Sequence, residues 1–147
     1  MNESLSPNEP KDQEAGLHRA LIDCMTLASA ADNLLKPVEM RLLGSLVAHL
    51  PVFKDFDLHH LSLYVDDCLD RLKQSNSLDD MIAEIASNLP PSMHETAYAL
   101  AVDVVAADLN TSDAELSFLQ LLRQTLGLDR LICAGIERGA RAHFQTP

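Results

Sequence analysis

Oxygen-bearing side chains recur at close spacing in one short stretch, Asp108-x-Asn110-x-Ser112-x-x-Glu115. Asp, Asn and Ser at positions one, three and five reproduce the opening of a twelve-residue helix–loop–helix calcium loop, whose hard oxygen ligands suit calcium or magnesium. The match then breaks. Position six, where such a loop needs glycine for its tight turn, is Asp113, and position twelve is Leu119 in place of a bidentate Glu. Glu115 falls at position eight and has oxygens to offer, but it also has another use. Ser112-x-x-Glu115 is a capping box: the Ser112 hydroxyl accepts the amide of residue 115, and the Glu115 carboxylate reaches back to the Ser112 amide. Two readings compete. One is a weak, water-retaining divalent-cation site at Asp108, Asn110, Ser112 and Glu115. The other, which needs fewer coincidences because short acidic motifs often match by chance, is a plain junction between two helices.

An earlier stretch repeats the unit. Ala30-Ala31-Asp32, then Glu39, Leu43, Leu46 and Leu50, stand 76 positions before Ala106-Ala107-Asp108, then Glu115, Leu119, Leu122 and Leu126. Asp32 and Glu39 thus form a second candidate metal set, a poorer one. Leu34 and Lys36 stand where ligands are needed, and an ammonium repels a cation.

Ala-Ala-Asp-x6-Glu at the elbow of a helix pair, used twice, resembles the TerB-like tellurite-resistance family, whose elbow reads roughly Ala-Asp-Gly-x-Ile-Ser-x-x-Glu. The likeness covers about residues 15–142 and is strongest over 96–128. It departs at the elbow glycine, which is Asn33 in the first copy and Leu109 in the second. It departs again at the first cap position, Lys36 rather than Ser or Thr. The resemblance implies an all-helical domain of bacterial stress response, linked to tellurite and other chemical insults, and no catalytic chemistry.

The residues themselves give no sign of an enzyme. There is no Gly-rich phosphate loop, no Gly-x-Ser-x-Gly and no His-Glu-x-x-His. The six histidines are scattered, and the adjacent pair His59-His60 points two ways from a helix, so it cannot ligate one ion from one face. Lone carboxylates in apolar helices, Asp103 and Asp23, need partners or a raised pKa. Arg19 or Arg123 are the expected partners. The other reading has both carboxylates approach the elbows and enlarge an acidic pocket.

The elements that position these residues follow from composition and periodicity. At 147 residues the chain suits one domain, 47 % of it hydrophobic but only 4 % aromatic, so Leu and Ala carry the packing and favour helices. The 22 acidic residues against 11 basic give −11, which disfavours nucleic acid and suits a cation or a basic protein partner. Cys24, Cys68 and Cys133 are far apart and odd in number, hence buried small hydrophobes. The first 16 residues lack a basic region followed by an apolar core, so no signal peptide is expected and the cytoplasm is the simplest compartment.

Residues 1–13 read as a flexible tail and 14–147 as the helical domain. Helices are expected over about 14–31, from Pro37 to about 50, over 58–74 with Leu58 inward, after Ser77, over 93–107, over 113–126 and over 129–142 with Leu131 and Ile132 among its apolar residues. Ser92-x-x-Glu95 reads as a further capping box, and Gly127 as a left-handed C-cap. The whole is an all-α, single-domain bundle of about seven helices, in two pseudo-symmetric helix-turn-helix halves. The function expected is a non-enzymatic, TerB-like interaction module with a protein partner and no membrane insertion, carrying a divalent cation at the acidic elbow. The alternative is a metal-independent acidic adaptor for a basic or membrane-associated protein.

Overall fold

The computed structural model describes residues 9–31, 35–75, 77–107 and 111–147. Among the described residues the chain forms seven α-helices and no strand: α1 (Glu9–Ala30), α2 (Pro37–His49), α3 (Leu61–Ser75), α4 (Leu78–Ser87), α5 (His94–Ala107), α6 (Asp113–Leu126) and α7 (Arg130–Phe144). They make one all-α bundle. The first helix begins at Glu9, ahead of the boundary expected at residue 14, because Pro10 falls in the first turn, where its missing N–H costs nothing. Residues 1–8 of the expected tail lie outside the described residues.

Helix α5 is the axis. It packs against α1, α7, α2 and α6. Its apolar run explains this, since Ala97, Tyr98, Leu100, Ala101, Val102, Val104 and Val105 are all buried and no single face is left for water. Helix α1 is enclosed almost as fully, lying against α5, α3, α4 and α6. Every residue from Leu21 to Ala30 is buried, including the polar Asp23, Thr26 and Ser29. The hydroxyls of Thr26 and Ser29 donate back to the carbonyls of Ile22 (2.8 Å) and Met25 (3.1 Å), so their burial leaves no donor unmet.

Local signals end the helices largely where expected. Pro37 opens α2, Ser77 caps α4 by accepting the Asp80 amide, and Gly127 closes α6 at φ 66°. The start of α5 differs. A 3-10 turn, Pro91–Met93, precedes it with Pro90 in the cap position, so Ser92 sits inside the turn and does not cap the helix with Glu95. The two prolines fix the backbone there and replace the side-chain cap. One inward assignment is also corrected, and two apolar residues of α7 lie outside the core. Leu58 falls in a 3-10 turn and is 47 % exposed, while Leu131 is 83 % and Ile132 44 % exposed. The inner face of α7 is Cys133 and Ala140 instead.

Candidate functional site

The two elbows start α2 and α6, and each begins with a buried glutamate at the third helical position. Glu115 is 1 % exposed and accepts the Ser112 amide at 2.8 Å, while the Ser112 hydroxyl accepts the Glu115 amide at 3.1 Å. Glu39 is likewise 1 % exposed and accepts the Lys36 amide at 3.2 Å. Lys36 has only donors on its side chain, so the reciprocal bond that Ser112 makes is chemically barred to it. Asp32, Asp108 and Asn110 lie outside the described residues. Of the six candidate ligands, then, Ser112 and Glu115 are brought together, as a cap, and Glu39 serves its own helix end. Among the described residues, no three His, Cys, Asp or Glu side chains converge to hold a metal ion. Beside the second elbow lies a cleft of about 240 Å³ between α5, α6 and α7, with Val102, Val105, Leu116 and Leu119 among its walls and Glu137 and Arg141 at its polar side.

The two lone carboxylates have different fates. Asp23 is met by Arg71 of α3, whose Nη2 donates to both carboxylate oxygens at 2.8 Å. Arg71 also donates through Nε to Asp67 at 2.9 Å, and Asp67 receives Arg19 Nη1 at 2.6 Å. The expected partner Arg19 is therefore one link away, and the chain Asp23–Arg71–Asp67–Arg19 ties α1 to α3. Burial pushes the Asp23 carboxyl up from its ordinary value, against the pull of Arg71. Asp103 is half-buried on α5. Its carboxyl is also pushed up by burial, with His143 of α7 acting in the opposite direction. All three cysteines are buried, as expected, with free thiols.

A second site escapes the sequence reading. The link between α2 and α3 folds back on α1 and leaves an open groove of about 440 Å³, lined by Glu14, His18, Asp55, Phe56, Asp57 and Tyr64 among others. Its wall is aromatic: Phe56 meets Tyr64 edge-on at 5.3 Å and His18 at 5.5 Å. His18, 4 % exposed, donates through Nε2 to the Val52 carbonyl at 2.8 Å and so anchors the link. Asp57 accepts the His59 amide at 3.0 Å, and this bond holds its carboxyl below the usual range. The Tyr64 ring already receives a cation, with the Arg19 guanidinium carbon 4.8 Å from its centroid. Carboxylates around aromatic faces suit an arginine or lysine side chain. The signal in the sequence was Phe53-Lys54-Asp55-Phe56-Asp57, but its convergence with Glu14 and His18 depends on the tertiary fold.

Fold and sites together define an acidic all-α bundle with capped elbows and an aromatic-walled groove. No family model, curated protein or solved structure matches the chain. None of the helices among the described residues is long and apolar enough to cross a membrane.

Proposed function

We propose that this protein is a non-enzymatic helical adaptor that recognises a basic segment of a protein partner without a bound metal. The observation that carries the reading is the groove at Glu14, Asp55, Phe56, Asp57 and Tyr64, which combines negative charge with aromatic faces in a chain of net charge −11. The capping geometry of Glu115 supports the metal-independent form. Its Oε1 accepts the Ser112 amide and the side chain is 1 % exposed, so the carboxylate is turned to the helix end and away from solvent. The wider role, TerB-like stress response in the cytoplasm, rests on the resemblance of the two Ala-Ala-Asp-x6-Glu elbows to that family.

The test is calorimetric titration with an arginine-rich peptide at low salt, comparing the chain with Glu14→Gln/Asp55→Asn and with Asp79→Asn/Asp80→Asn on α4. Both pairs remove two charges, but only the first lines the groove. Roughly tenfold weaker binding for the first pair alone is expected. Equal losses would reduce the interaction to net charge and sink the groove reading. In parallel, metal-stripped protein is melted with millimolar calcium, magnesium, manganese or zinc. No ion-specific rise is expected. A rise abolished by Asp108→Asn would replace this reading with a cation-linked module.

A further inference from the structure

Helix α7 turns an unusual face to solvent. At 100° per residue, Leu131, Gly135, Arg138 and Ala142 fall in one outward stripe. Leu131 is the most exposed large apolar side chain of those on the surface, at 83 %, with Ile132 beside it at 44 %. A Cβ added at Gly135 or Gly139 would meet nothing within 4 Å, so among the described residues nothing packs on the helix at these two points. Its charge also runs against the molecule. Arg130, Arg138 and Arg141 face a single acid, Glu137, within α7, whereas the whole chain carries −11.

A complementary stripe exists on the opposite-signed part of the same chain. Helix α3 turns Leu63, 63 % exposed, outward together with the exposed Asp66 and Asp70, two acids against the one exposed base, Lys73, at the end of the same stripe. The spacing is the same in both helices: leucine, then a charge seven residues on, as Leu63 to Asp70 and Leu131 to Arg138. Seven residues are two turns, about 10.5 Å along the axis. We propose that the α7 face of one molecule docks on the α3 face of a second copy, Leu131 against Leu63 and Arg138 against Asp70.

Charge argues for this pairing over α7 on α7, which brings arginine-rich faces together. The two surfaces are different patches, so the contact either is made once and builds a ring or an open string, or is made twice and closes a two-fold dimer. It uses neither the groove nor the elbows, so its failure and the failure of the adaptor reading are separable.

The experiment is sedimentation velocity of the full chain from micromolar to millimolar concentration, at low and high salt. The expected result is a sedimentation coefficient that rises with concentration and falls back when salt screens the pair. Arg138→Glu and Asp70→Arg should each weaken association roughly tenfold, while the double variant restores it. Leu131→Ser should weaken it at both salt concentrations, since its contact is apolar. All three side chains are exposed, and thermal melting confirms that each variant folds. A wild-type chain that stays monomeric throughout, or a double variant no better than its parents, overturns the proposal.

Discussion

Arg71 holds Asp23 through both carboxylate oxygens at 2.8 Å, although the two residues are 48 apart in the chain. The pair fastens the most deeply enclosed stretch of α1 to α3, and its value lies in being complete. Arg71→Met leaves Asp23 as a buried charge without its guanidinium, and should cost about 3–5 kcal/mol in urea unfolding. Asp23→Leu/Arg71→Met should recover most of that loss. Asp23→Leu alone closes the cycle, and a double variant whose loss is the sum of the two single losses would show that the charges are not coupled.

The elbows make a second prediction. Ser112→Ala removes the acceptor for the Glu115 amide, and should lower stability by about 1 kcal/mol with or without calcium. A cost that appears only when the ion is present would assign Ser112 to a cation instead.

Asp103 sets a pH dependence. Its carboxyl is raised in the folded state by burial, so the fold holds this proton more tightly than the unfolded chain does. The associated stability is complete below the ordinary carboxylate value and is lost as pH rises through the raised one. Asp103→Asn should therefore gain stability at pH 7 and gain none at pH 3, seen as a flatter plot of melting temperature against pH. An equal effect at both values would refute the assignment.

Thiol chemistry is the fourth. Burial pushes the thiols of Cys24, Cys68 and Cys133 up, away from the thiolate that reacts. A disulfide reagent should modify none of them in the native protein and all of them in denaturant. Rapid native labelling of Cys133, which lies on the inner face of α7, would mean that α7 detaches easily.

The architecture was readable because its signals are local. The apolar run of α5, the Ser112 and Ser77 caps, Pro37 and Gly127 all act within a turn or two of themselves. What escaped depends on contacts between distant segments. Asp23 stood out as a lone carboxylate, but its partner Arg71 lies on α3, 48 residues on, and only the tertiary fold brings the two together. Leu131 looks like core and is exposed, because α7 rests on α5 through Cys133 and Ala140. The groove at Phe56 and Tyr64 joins residues from α1, the link and α3, and no periodicity within one segment announces it. The elbow acids were legible as residues but open in role. At Glu115 the geometry adds a cap, while Asp32, Asp108 and Asn110 lie outside the described residues.

The close packing of α1 on α5 has a consequence during synthesis. Helix α1 finds its main neighbour in α5, where Cys24 Sγ meets the Ala97 carbonyl, and that helix ends at Ala107, so α1 leaves the ribosome well before α5 exists. At ordinary translation rates the gap lasts on the order of 4 to 15 seconds. Throughout it the surface of α1 that α5 will cover stays open, even after α3 and α4 have been made, and open apolar helix surface is what holding chaperones bind. Slowing translation between α1 and α5 should therefore raise the fraction that aggregates, read as the insoluble share of the expressed chain.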